Sequence, residues 1–402
     1  MKTIVLINGI NYSSTGTITL NIAKQARKAG YKVYTCCKDS RFGRKYQYED
    51  QITIGTRLDR VISERLAYIT GLKGYFNIIN TWLFIRKLNK IKPDLIHMHL
   101  LHDTFINLNM FFKYLKRSKI PVIWTFHDCW AFTGQCSYFD LIDCQKWKTG
   151  CYECKRIHEY PSSLLDQTSH LWKKKKKMFS NIDNMMIVTP SKWLIENIKL
   201  SFLKDYKTDV IYNGINLEIF KPTESDFRQK YKLEGKFVVL GVSYGWSYRK
   251  GIDVFIKLSK ELPDSYKIVM VGVRDIDQKQ LPDNIITIKK TFDQKELAQI
   301  YTACDLFINP TREDNFPTVN IESLACGTPV LTFKTGGSPE ALDKKCGDVV
   351  EKNDYDALKN RIIEIAENRP YTKENCLNRA RQFDMKDKFN EYVQLYDKLL
   401  NR

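Results

Sequence analysis

Short apolar runs rich in β-branched residues alternate with helix-like stretches along nearly all of the 402 residues. That alternation constrains the fold more than any other feature. Parallel strands need crossover connections, and a helix is the usual one. In the first half the runs are Thr3–Asn8, Lys32–Cys37, Asp94–His99, Val122–His127, Met185–Pro190 and Asp209–Tyr212. The second half restarts at Phe237–Ser243 and continues through Lys267–Gly272, Ile285–Lys289, Leu306–Asn309 and Pro329–Phe333. An α/β protein with two doubly wound sheets is expected, its ligands at the carboxyl ends of the strands. The length suits two domains of about 200 residues, with a boundary around Asn213–Pro222 (NGINLEIFKP).

One stretch points to chemistry. The run Asp305–Pro310 (DLFINP) reads as a buried strand, after which Asn315 is expected to cap a helix, Pro317 to sit in its first turn, and Gly327 with Pro329 to end it. The free N–H groups of such a helix start attract a phosphate or an electron-rich sugar oxygen. Glu313 and Asp314 precede the helix and Glu322 lies inside it. Acids beside an anion site suit the acceptance of hydrogen bonds from sugar hydroxyls. A capped surface helix with incidental acids is the plainer alternative.

Other segments have the same character. Ser13-Ser14-Thr15-Gly16-Thr17-Ile18 is small and polar and opens a helix, and Gly16 would let backbone approach a pyrophosphate. No G-x-G-x-x-G follows, so a dinucleotide cofactor is not expected. Arg249 and Lys250, in Tyr248–Asp253, follow the strand FVVLGVS; without context such a pair is solvated charge. Thr335–Glu340 is a second glycine turn, with Gly336 and Gly337, a Ser cap, Pro in the first turn and an acid beyond. His127 ends a strand in the first half, and His97, His99 and His102 cluster at the preceding one. Their spacing puts His97 and His99 on the same side, where packing or an acceptor cleft is a better reading than metal ligation. Thr189–Trp193 reads as a strand end with a capped helix, a structural feature.

Lys plus Arg exceed Asp plus Glu by 64 − 46 = 18, which favours phosphates, nucleic acid or an anionic membrane face. The densest point is Lys173–Lys177, flanked by Trp172, Met178 and Phe179. It reads either as a solvated helix face or as a membrane-facing patch. No apolar run reaches the roughly 18 residues of a membrane span. The opening MKTIVLINGINYSS reads as a strand rather than a secretory leader, so a cytoplasmic protein is expected. Eleven cysteines is a high count for that compartment. Cys136, Cys144, Cys151 and Cys154 are spaced C-x₇-C-x₆-C-x₂-C. That suits a structural zinc, with free thiols and disulfides as alternatives. Four cysteines would leave no open catalytic position.

The stretch Glu313–Pro329 (EDNFPTVNIESLACGTP) resembles the E-x₇-E signature of retaining glycosyltransferases of family 4. Counted strictly, the partner of Glu322 is Asp314, with Glu313 one step further. The resemblance extends over nearly the whole chain, most tightly over 305–340. It implies a GT-B fold, two Rossmann-like doubly wound domains facing each other across a cleft. Residues 1–215 would bind the acceptor, with a helix over 386–402 packing back, and residues 216–385 would bind a nucleotide sugar of UDP or GDP type. By the same resemblance Asp314 or Glu313, with the turn Phe316, Pro317, Thr318 and Val319, holds the donor sugar, and Glu322 grips the ribose. Lys250 matches the family's diphosphate-binding lysine. Arg249 stands in for an arginine whose usual place here carries Gly245 and Trp246. Gly16, Gly336 and Gly337 would lie near the donor phosphates, and His127 would face the reacting sugar. The implied reaction is retaining, by same-face attack assisted by the leaving phosphate, with no catalytic cofactor or divalent metal. The implied acceptor is a glycan, such as one on an undecaprenyl carrier, in surface polysaccharide synthesis at the inner face of the membrane. Epimerases and phosphorylases share this fold. A zinc-containing basic nucleic-acid-binding protein is the reading from a different class, though nucleic acid is not the expected partner.

Overall fold

A computed structural model of the chain describes residues 1–40, 43, 50–102, 104–289, 291 and 293–401. It divides into two compact units, Met1–Tyr212 with Lys388–Arg402, and Asn213–Asp387.

The first unit runs β1 (Thr3–Ile7), α1 (Ser13–Lys28), β2 (Lys32–Lys38), β3 (Gln51–Ile54), α2 (Arg57–Thr70), α3 (Ile78–Ile91), β4 (Leu95–Met98), α4 (Leu108–Ser118), β5 (Val122–Thr125), α5 (Thr168–Phe179), β6 (Met185–Thr189), α6 (Lys192–Lys199) and β7 (Lys207–Val210). Its seven strands are all parallel, in the order β3-β2-β1-β4-β5-β6-β7. Central strands have helices on both faces, so β1 and β4 show almost no apolar–polar alternation and are buried throughout their inner length, His97 of β4 included. The order reverses between β1 and β4, and there Gly9 N donates to Leu100 O and Leu100 N to Asn8 Oδ1.

The second unit contains α7 (Phe227–Lys230), β8 (Phe237–Val242), α8 (Ile252–Glu261), β9 (Tyr266–Val271), α9 (Asp275–Gln278), β10 (Ile285–Ile288), α10 (Gln294–Ala303), β11 (Leu306–Asn309), α11 (Thr318–Ala325), β12 (Val330–Phe333), β13 (Gly347–Val350), α12 (Tyr355–Asn368) and α13 (Lys373–Arg381). Its six parallel strands lie in the order β10-β9-β8-β11-β12-β13, reversing between β8 and β11. That reversal brings together the loops after β8 and β11, the place where this topology binds ligands.

The last helix, α14 (Met385–Leu399), packs against the first unit. Tyr396 OH lies 2.7 Å from His97 Nδ1, and Tyr31 OH donates to Asp397 Oδ1 at 2.5 Å. The expected helix at 386–402 therefore begins at Met385; Arg402 is outside the described residues.

Several expectations need correction. β3 (QITI) and β13 (GDVV) are short edge strands absent from the sequence reading. β5 ends at Thr125, leaving Phe126 and His127 beyond the strand, and β7 lies over Lys207–Val210 rather than Asp209–Tyr212. In α5, Trp172 and Phe179 are core residues. Lys175 is buried as well, donating to Trp130 O and Thr133 O with its ammonium 3.6 Å from the centre of the Trp130 ring. The exposed face of α5 is thus lysine without its aromatic neighbours, and the membrane-type pattern seen in the sequence is broken by folding.

Candidate functional site

β8 is followed by a loop, a 3₁₀ turn at Tyr248–Lys250, and Gly251 in the left-handed region. A Cβ at Gly251 would lie 2.6 Å from Pro310, so glycine lets this turn close against the end of β11. The turn aims Lys250 across the sheet's switch point, where Nζ donates to Asp314 Oδ2 at 2.6 Å. Both side chains are about one-fifth exposed, at 21% and 19%. Arg249 Nη1 reaches the backbone O of Glu313 at 3.1 Å. The Glu313 side chain is fully buried, so the two candidate acids have different surroundings, and Asp314 is the one that faces the lysine and the solvent.

Asn315 does not cap the helix. Pro317 occupies the N-cap position, α11 starts at Thr318, and the cap has no side-chain hydrogen bond. Asn315 is buried instead, its backbone O accepting from Gly337 N at 2.7 Å. Phe316 and Pro317 are buried, and Thr318 and Val319 half-exposed. Asn320 N donates to Pro317 O at 3.2 Å, and the amides of Thr318 and Val319, which open α11 four and five residues after Asp314, have no earlier helical carbonyl to bond to. Gly336 has φ +54, and a Cβ there would come within 1.8 Å of Asp314 O, so the second glycine turn is glycine to fit the chain's own backbone. Ser338 is likewise not a cap; its hydroxyl is buried against Thr332 Oγ1 and Asn320 Nδ2. Asn320 also accepts from Asn309 Nδ2 at 2.8 Å, tying α11 to β11 and to the glycine turn.

Glu322 is half-buried one turn into α11 and accepts from Tyr301 OH at 3.3 Å. Burial pushes its carboxyl up to about 7, against the pull of hydrogen bonds from Thr318 and Tyr301. Sequence reasoning missed Arg312. Its guanidinium grips both oxygens of Asp253 at 2.8 and 2.7 Å, donates to Tyr248 O and Asn353 Oδ1, and lies 3.8 Å over the Tyr248 ring. It is the clamp that holds the Lys250 turn. Its signal in the sequence is slight, an arginine three residues past the end of β11.

In the first unit, Gly16 lies inside α1, and the space its Cβ would need is filled by the Asn11 backbone at 2.7 Å. Its smallness thus serves the turn itself. His127 follows β5 and its Nε2 lies 3.0 Å from His99 Nδ1, with the rings stacked. His97 bridges Tyr396 OH and Thr125 Oγ1. Burial lowers His97 to about 3 and His127 to about 4, and takes His99 well below the usual range. These imidazoles are neutral at physiological pH and act as hydrogen-bonding groups. Cys136, Cys144, Cys151 and Cys154 are free thiols lining one cavity of about 490 Å³. Burial raises Cys136 to about 12 and Cys151 to about 11. Among the described residues, no three His, Cys, Asp or Glu side chains are grouped closely enough to hold a metal ion.

Two parallel-sheet units, with an anion-attracting helix start and a fixed cation at a switch point, define the fold class of GT-B glycosyltransferases. The chain belongs to glycosyltransferase family 4: residues 15–219 match the model "Glycosyltransferase Family 4" and residues 223–383 match "Glycosyl transferases group 1". It is 24% identical over 273 residues to a putative colanic acid biosynthesis glycosyl transferase of Escherichia coli K12, the match covering 65% of each chain. It is 25% identical to an uncharacterized 41.2 kDa protein in the cps region of Klebsiella pneumoniae, covering 82% of this chain and 84% of the relative. Among solved structures, sucrose-phosphate synthase of Thermosynechococcus elongatus superimposes with a TM-score of 0.75 at 18% identity, covering 100% of both chains. HepE of Anabaena in complex with UDP gives 0.68 at 17% identity, covering 99% of this chain and 100% of the other.

Proposed function

We propose that this protein is a retaining glycosyltransferase that moves a sugar from a nucleotide donor to a lipid-linked glycan in surface polysaccharide synthesis. The observation that carries the reading is the pairing of Lys250 with Asp314 beside the start of α11. It supports the reading because a cation and a carboxylate held together just before a helix start suit a donor diphosphate and its sugar. The second unit is then the donor domain and the first the acceptor domain.

In this reading Lys250 keeps Asp314 oriented with one of its three donors and offers the others to the donor diphosphate. Arg249 adds positive charge, and the amides at Thr318 and Val319 add helix-terminal donors. Asp314 accepts from the sugar hydroxyls, with Phe316 and Pro317 shaping the wall behind it. Glu313, being buried, supports the loop. Glu322 accepts from the ribose. Gly336 and Gly337 keep the loop close to Asp314. As transfer proceeds, the bond from the anomeric carbon to the phosphate oxygen breaks. The acceptor hydroxyl oxygen bonds to that carbon on the same face, and its proton passes to the departing phosphate. Lys250 and the helix amides stabilise the charge that develops there. His127, held by His99, serves as a neutral hydrogen-bonding group for the acceptor domain.

The donor nucleotide is proposed as UDP, since the structural relative HepE is described with UDP and with UDP-glucose. The relatives named for colanic acid synthesis and for a cps region support a polysaccharide product. A structural zinc on Cys136, Cys144, Cys151 and Cys154 suits the donor set, because four soft thiols face one cavity. They would have to close in and lose their protons to hold it. One zinc per chain by elemental analysis, lost in Cys154→Ser, is the expected result, and zinc-free protein overturns that part. The transferase reading is tested by turnover of UDP-sugars with Lys250→Ala, Asp314→Ala and Glu322→Ala, each expected to reduce transfer strongly while the fold persists. Unchanged turnover in all three would reject it.

A further inference from the structure

α2 is turned inside out. The residues it buries are Ser63 and Ala67. Leu58, Ile62, Leu66 and Ile69 recur along one helical face and point outward, with Leu58 72% exposed. α3 lies beside it, linked by Ser63 Oγ donating to Asn77 Oδ1 at 3.0 Å. Its first two turns add Ile78, Ile79, Trp82 and Leu83, with Ile79 73% exposed. Leu164 N donates to Tyr68 O, bringing exposed Leu164 and Leu165 to the end of α2. Large apolar side chains gathered on one face mark an interaction site, whereas single exposed ones do not.

Charge identifies the occupant. The last two turns of α3 expose Arg86, Lys87 and Lys90, and α3 carries no acid. Arg86 lies 4.7 Å over the Trp82 ring. α2 adds Arg57, Arg60 and Arg65. Of its two acids, Asp59 is used in the capping box with Thr56, and Glu64 lies 3.6 Å from Lys38. An apolar face with an interfacial tryptophan and a basic border matches a surface that is anionic outside and hydrocarbon within.

We infer that the α2–α3 face docks the protein on an anionic lipid bilayer. The inference stands on this surface alone; it would bring a lipid-linked acceptor within reach, yet does not depend on the transferase reading. The test is co-flotation of the full chain with vesicles of phosphatidylcholine alone or mixed with phosphatidylglycerol. The variants are Ile62→Glu with Trp82→Glu, and Arg86→Glu with Lys90→Glu. All four positions are exposed, and an unchanged melting temperature verifies folding. The wild type is expected to float with the anionic vesicles, less so at high salt, and each double variant to bind about tenfold or more weakly. Failure of the wild type to float, or equal flotation of the variants, overturns the inference. So does a dimer in solution that the apolar double variant abolishes while vesicle binding is absent, which would assign the face to a second copy. UDP-sugar binding measured on the same variants separates this outcome from failure of the donor site.

Discussion

Lys250 Nζ donates to Asp314 Oδ2 at 2.6 Å across 64 residues of sequence, joining the loops that follow β8 and β11. The pair is partly exposed, so its contribution to stability is small, at most about 1 kcal/mol. Its value is in holding a cation and a carboxylate where a diphosphate and a sugar would meet. Lys250→Ala is expected to lower kcat by about 10²–10³-fold with little change in Tm, checked by steady-state kinetics alongside thermal melting.

Arg312 makes a different prediction because it is nearly buried, with 5% of its side chain exposed. Arg312→Ala leaves two carbonyl-type acceptors without their donor, while Asp253, 43% exposed, can turn to water, and the protein should be destabilised by about 1–3 kcal/mol. Arg312→Lys should recover only part of that, since a single ammonium cannot reproduce the fork. Denaturant unfolding of both variants is the check.

Gly336→Ala would press a methyl group onto Asp314 O, at a backbone angle that already disfavours side chains. A loss of about 1–3 kcal/mol is expected, with weaker donor binding because Asp314 must move. Calorimetric titration with a UDP-sugar at a temperature where the variant is folded separates the two effects.

Glu322 gives a pH signature. Its carboxyl is held near 7 in the folded protein, against an ordinary value of 4.5. Between these values the folded chain keeps a proton that the unfolded chain has released, so this group's contribution to stability falls as pH rises and levels off above about 7. Glu322→Gln should therefore gain in Tm over the wild type as pH is raised from about 4.5 to 8. A wild-type and variant difference independent of pH would contradict the burial argument. Donor affinity should rise through pH 7 as the carboxylate ionises and becomes the better acceptor.

The histidines behave in the opposite sense. His97 and His127 titrate at about 3 and about 4, so between these values and about 6.5 the unfolded chain holds protons that the folded one lacks. Their contribution to stability drops as pH falls through that window. NMR signals of His97, His99 and His127 should be flat from about pH 5.5 to 8; a midpoint near 6.5 would mean that they are solvated.

Much of this was legible in the sequence for a physical reason. Buried parallel strands must be continuous apolar runs, so β8, β9 and β11 stand out, and the helix after β11 follows from its breakers. Edge strands such as QITI and GDVV are short and half-polar, and carry no such signal. The caps were misread at Asn315 and Ser338 because tertiary contacts decide such positions: Asn315 is buried with its backbone O accepting from Gly337 N, and the Ser338 hydroxyl turns inward to Thr332 and Asn320. Lys175 and Arg312 were invisible as core residues, since their partners are backbone carbonyls and side chains brought in from distant segments. The α2 face was missed because helical periodicity does not say which side of a helix faces the protein.

The most direct test of the donor site is thermal stabilisation by UDP-, GDP-, ADP- and dTDP-sugars and the bare diphosphates, for the wild type and for Lys250→Ala. A ligand that binds only the folded state raises Tm by mass action. The account predicts a clear rise with the UDP compounds, largely lost in Lys250→Ala. No rise with any of the panel in the folded wild type, or an equal rise in the variant, would contradict it.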